Sequence, residues 1–166
     1  LSLQKLASGM AIRLILVGKT AEAYVREGMS LYTSRIGRYC RFSVVEIPDL
    51  KQVSALSPAQ IKEKEGVEIL KNIHPGDEVI LLDERGKSFS SIVWAQHLEQ
   101  RLAHCQKDLV FVVGGSWGFS QAVYDRGSDM LSLSKMTCSH QLIRLFFLEQ
   151  LYRAFTIMKG EPYHHE

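Results

Sequence analysis

The chain has 166 residues, 46% of them apolar and 23% charged, with a net charge of +2 and a pI near 8.5. That balance suits one globular domain burying roughly two-thirds of its unfolded surface, and it excludes a disordered chain. The charge is too mild to mark a dedicated nucleic-acid binder. Three widely spaced cysteines, Cys40, Cys105 and Cys138, exclude a disulfide or zinc framework and point to a reducing, cytoplasmic setting. No apolar run has the length to span a bilayer.

Residues 1–9 lack the pattern of a signal peptide and read as an N-terminal extension or expression scar ahead of a native start at Met10. Residues 10–166 read as a single domain. Its first element, Ala11–Val17, is a continuous apolar run ended by Gly18, the mark of a buried strand. A helix is predicted over 21–39, with Val25, Met29, Tyr32 and Ile36 on one face, then a strand over 42–47 stopped by Pro48, then a loop over 49–56. Ser57, Pro58 and Gln60 supply an N-cap, a first-turn proline and a capping box for a helix running to about residue 73.

A third strand is expected over 78–82, a polar loop over 83–90 and a helix over 91–103. The apolar run Leu109–Val113 gives a fourth strand, Gln121–Arg126 a short helix, and residues 130–133 a last strand. A long helix over 140–159 closes the pattern. Alternating strands and helices predict an α/β fold, a mostly parallel sheet flanked by helices on both faces. Ligands of such sheets bind beyond the carboxyl ends of the strands, which singles out the loops at 83–90, 114–120 and 134–139.

Two motifs suggest other chemistry. Gly18-Lys19-Thr20 ends a strand, but Arg13 stands where a phosphate-binding loop needs its first glycine. Gly114-Gly115-Ser116-Trp117-Gly118 fits a nucleophile elbow, and Asp125 or Asp129 followed by His140 keeps a hydrolase order. A serine hydrolase built on Ser116 is therefore one alternative, and a non-catalytic ribosome-binding module another. No His or Cys cluster has metal spacing, so no metal is expected.

A longer ordered set narrows the field. Val17-Gly18-Lys19, Val45-Glu46-Ile47-Pro48, Lys64-Glu65-Gly66, Val112 to Gly118, Leu131 to Thr137, His140-Gln141, Leu151 to Phe155 and Tyr163-His164 occur in this sequence in that order. Together they resemble the bacterial large-subunit (23S) ribosomal RNA pseudouridine N3-methyltransferases of the SPOUT class, across residues 10–166. The resemblance implies a C-terminal trefoil knot, a homodimer, S-adenosylmethionine as methyl donor, and ribosomal RNA in the assembled ribosome as partner. It implies a donor pocket of Leu82, Gly114, Leu133, Ser134, Lys135, Met136, Thr137 and Cys138. One departure stands out: Cys138-Ser139 precede His140 where the family has an apolar residue and proline, which removes one rigid φ angle.

The residues themselves suggest roles. Glycines 114, 115 and 118 let backbone approach a ligand. His140 and Arg144, four apart at a helix start, are expected to meet RNA phosphate or the target base. Glu149 and Arg153 stand in the favourable order for an ion pair, with Arg153 able to reach a partner's site. His164 is expected to take the acceptor's proton or position the base, and Tyr163 to stack on it. The catalytic candidates are thus His164, Arg153 and His140, with Arg144 and Tyr163 for substrate.

Overall fold

A computed structural model of the chain describes Gln4 and residues 9–165; the reading of residues 1–9 falls, apart from Gln4 and Gly9, outside them. β1 (Ala11–Val17) lies inside the sheet because its apolar run can be covered on both faces. It is followed by α1 (Ala23–Ile36), β2 (Arg41–Ile47), a 3-10 turn at Val53–Ala55, and α2 (Pro58–Lys71). β3 (Glu78–Lys87), α3 (Ser91–His104), β4 (Leu109–Val113), α4 (Gln121–Arg126), β5 (Asp129–Leu131) and α5 (Leu142–Met158) complete the chain. The five strands are all parallel, in the order β2-β1-β4-β3-β5.

Alternate strand residues face opposite layers, as the period of two requires. Ile12, Leu14, Leu16, Ile80, Leu109 and Phe111 meet α1, α3 and α5 on one face. Ile15, Val17, Val79, Leu81, Val110 and Val112 meet α2 and α4 on the other. α5 packs against both α1 and α3, and Phe147 sets its ring 4.7 Å from that of Phe111. Each such buried side chain contributes about 1.5–3 kcal/mol, so α5 is integral to the core.

The expected helix starts are present. Ser57 Oγ accepts from Gln60 N at 3.2 Å, and Gln60 Oε1 accepts from Ser57 N at 2.8 Å, closing the capping box. The segment expected as a polar loop at 83–90 differs. β3 continues to Lys87, and Leu131 of β5 pairs with both Leu82 and Lys87. The ladder between β3 and β5 is thus irregular between Leu82 and Lys87, with Ser132 N donating to Lys87 O at 2.9 Å. The polar sequence hid this because the pairing is made by backbone. Gly86 permits it: a Cβ there would fall 2.6 Å from the carbonyl carbon of Met130.

Candidate active site

Beyond β4 and β5 the chain leaves the sheet in two loops, and a cleft of about 790 Å³ opens between them, the later part of β3 and α2. Leu82, Gly114, Leu133, Ser134, Met136, Thr137, Cys138 and His140, singled out from the sequence, all line it. Lys135 is exposed in the same turn and is not on the lining. Gly118, at φ +83°, lets the glycine turn reverse where a side chain would be strained. Trp117 and Phe119 divide: Trp117 is exposed on the cleft wall, whereas Phe119 is buried in the core beneath it.

Sequence reasoning missed several lining residues. Lys62 and Glu63 reach the cleft from α2, and Asp83, Arg85 and Tyr124 form a linked group on its wall. Tyr124 donates to Asp83, and Arg85 holds the same carboxylate while lying 4.8 Å over the Tyr124 ring. Burial pushes the Asp83 pKa up, but hydrogen bonds from Tyr124 and Arg85 outweigh it and hold the carboxyl ionised below its usual range. An Asp at the end of a buried strand was the available signal.

The loop after β5 is held by a cap. Ser139 Oγ accepts from Leu142 N at 3.0 Å, and Ser139 O accepts from Ile143 N at 3.0 Å. Where proline would fix φ, a hydroxyl here fixes the entry to α5. Ser139→Ala should cost about 1 kcal/mol, the usual value of an N-terminal cap. The Tm of the variant measures this, and an unchanged Tm would show the bond to be idle.

Arg144 stands elsewhere than expected. Its side chain is fully buried, and its guanidinium donates to Val17 O at 2.8 Å, Gly18 O at 2.9 Å, Thr20 Oγ1 at 2.8 Å and His140 O at 3.1 Å. Thr20 in turn donates to Glu46 Oε1 at 3.0 Å. Burial pulls the Arg144 pKa down, opposed by the charges of Glu46 and Asp49. An RNA phosphate has no access to such a group. Arg144 ties the start of α5 to the end of β1.

His164, Arg153 and Tyr163 gather far from His140. Arg153 lies thirteen positions along from His140, roughly 20 Å at the helical rise. The anticipated ion pair is present, with Arg153 Nε donating to Glu149 Oε1 at 3.1 Å, and Tyr163 OH donates to the same oxygen at 3.1 Å. The Arg153 guanidinium lies 4.8 Å over the Tyr163 ring. It also contacts His164 Nδ1 at 3.1 Å. Arginine can only donate, so Nδ1 accepts and Nε2 carries the imidazole proton. In this state His164 offers an N–H outward.

The elbow has no triad behind it. Asp125 accepts from Gln121 at 2.8 Å and Asp129 is paired with Arg101. Among the described residues no hydrogen bond joins Ser116 to His140 or His140 to either Asp. No group of acidic, His or Cys side chains among the described residues has the arrangement of a metal site, and no helix among them is long and apolar enough to cross a membrane.

An open parallel sheet flanked by helices, with a glycine-walled cleft at its strand ends, defines an α/β protein with a candidate ligand cleft where such sheets bind. The chain belongs to the SPOUT methyltransferase family, whose model, described as "Predicted SPOUT methyltransferase", matches residues 10–164. It is 54% identical over 157 residues to the "Ribosomal RNA large subunit methyltransferase H" of Parabacteroides distasonis, covering 95% of this chain and 100% of that protein. A protein of the same name from Flavobacterium psychrophilum is 50% identical over 157 residues, again covering 95% of this chain and 100% of its own. Among solved structures, a "Probable Methyltransferase" of Bordetella pertussis Tohama I shares the fold, with a TM-score of 0.52, 11% identity, and coverage of 92% of this chain and 97% of that one. The serine hydrolase is accordingly not favoured.

Proposed function

We propose that the protein is a cytoplasmic, S-adenosylmethionine-dependent methyltransferase that acts on large-subunit ribosomal RNA. The acceptor we assign is N3 of a pseudouridine presented by the assembled ribosome. The observation that carries this reading is the cleft itself. Its volume of about 790 Å³ suits a small organic ligand, and the glycine turn at 114–118 and the loop at 133–138 form two of its walls. The relatives' shared name supports ribosomal RNA as the acceptor class.

S-adenosylmethionine supplies a methyl group on a sulfonium, an electrophile that needs alignment more than covalent help. Gly114 and residues 133–138 would hold it, with Leu82 closing the floor. Trp117 and Met136, 55% and 82% exposed at the mouth, would meet the acceptor and keep water from it. His164 would hold a base carbonyl through its Nε2–H, and becomes a proton acceptor only on releasing Arg153. Because that cluster stands roughly 20 Å along α5 from the cleft, one chain's tail would serve the cleft of a second copy. The exposed apolar face of α5, Leu142 and Phe146, supports such a homodimer. The trefoil knot implied by the family, within a single domain over 10–166, belongs to the same reading.

The test is transfer of labelled methyl from S-adenosylmethionine to intact ribosomes, followed by nuclease digestion and identification of the labelled nucleoside. Label in methylated pseudouridine of the large subunit is the expected result. Label in small-subunit RNA alone would overturn the acceptor assignment. In the same assay His164→Ala should lower kcat about 100-fold, with donor Kd within about twofold of wild type. Parallel loss of donor affinity would remove His164 from the acceptor side.

A further inference from the structure

Two adjacent residues of α2 brace the glycine turn of the cleft. The Glu65 carboxylate lies so close to Gly115 that a Cβ there would fall 2.4 Å from Oε2 and 3.1 Å from Oε1. Gly66 receives the other end of the turn, where a Cβ would come 2.4 Å from Ser120 Oγ. A glycine in mid-helix is otherwise unfavourable, so this close approach accounts for it.

Glu65 has the wrong chemistry for a simple brace. The residue is only 9% exposed, and its Oε1 is buried with no hydrogen-bond partner. Burial pushes its pKa up, and the neighbouring Asp49 charge adds to the shift. A buried carboxylate oxygen without a protein partner is costly, and an apolar side chain of similar size would fill the space at lower cost. Such a group calls for a state of the protein in which it is used. The carboxylate lies beside the Gly115 Cα, and the peptide N–H groups of the turn flank that same atom.

We propose that Glu65 is a positioning residue for the donor loop: when the cleft fills, the turn at residues 115–118 settles onto its carboxylate, which accepts loop N–H groups and fixes the Gly114 wall. Glu65 does not line the cleft and touches no ligand itself. The inference rests on the donor-binding reading above.

The experiment compares wild type, Glu65→Met and Glu65→Gln by calorimetric titration with S-adenosylmethionine and by thermal melting. Glu65→Met should weaken donor binding about 20-fold or more, the scale of a lost charged hydrogen bond. Its Tm should stay level or rise, because an unpaired buried carboxylate has gone. Glu65→Gln keeps an acceptor oxygen and should bind within about fivefold of wild type. Wild-type affinity in Glu65→Met overturns the role of Glu65 and leaves the donor reading standing. A lowered Tm in Glu65→Met with no rescue by Gln reduces Glu65 to a structural brace and also overturns it. Absence of binding by wild type removes the donor reading and this inference with it.

Discussion

Gly114→Trp should abolish binding of S-adenosylmethionine, weakening it at least ~100-fold, close to 3 kcal/mol. The position has no spare volume on the core side: a Cβ at Gly114 would already stand 3.0 Å from the Phe119 ring. An indole must therefore turn into the cleft, where it occupies the space of the ligand. Phe119 is itself held in the core beside Val123 and Tyr124, so it yields little. Gly114→Ala is the control, since a methyl group needs only a few tenths of an ångström from that ring. Calorimetry on both variants, with melting curves to confirm folding, decides the matter. Retained affinity in a folded Trp variant would place the donor elsewhere.

Arg144→Met should lower the Tm by roughly 10 °C. Breaking a buried charge network by removing one partner costs about 3–5 kcal/mol, and each kcal/mol moves the Tm of a domain this size about 2–4 °C. The loss leaves the carbonyls of Val17, Gly18 and His140 without their donor and strands Glu46 beside Thr20. Arg144→Lys should recover less than half, because one ammonium cannot reproduce a fork that reaches four acceptors. An unchanged Tm in Arg144→Met, together with weakened RNA binding, would restore the phosphate contact expected from the sequence.

Those two residues mark the boundary of what the sequence reveals. β1, β4 and α4 are legible to the residue because their signals are local: an unbroken apolar run, or a short periodic stretch between turn residues. The loops at 114–120 and 134–139 that wall the cleft are legible too, since glycines after a strand and the strand-end rule are both read along the chain. Arg144 is not. Its spacing from His140 correctly puts the two on neighbouring turns, but whether that face meets water or carbonyls depends on β1, which lies more than 120 positions earlier. The late part of β3 escaped for a similar reason, because polar side chains do not betray backbone pairing to Leu131. Glu65 was visible only as part of an ordered resemblance; its meaning comes from Gly115 and Asp49, which reach it from other elements.

The order of the strands also governs when the protein becomes competent. β1 is made early, but one of its two neighbours is β4, so Ile12 must await Leu109. The face it shares with α1 and α3 is completed only when α5 arrives with Phe147, Leu148, Leu151 and Phe155. Pairing of β1 with β4 closes a loop of nearly a hundred residues, the kind of non-local contact that slows folding. The same helix bears the start of the cleft wall and the guanidinium that locks it. A chain that ends before α5 therefore lacks Ile143 on the cleft lining and the guanidinium of Arg144 behind it.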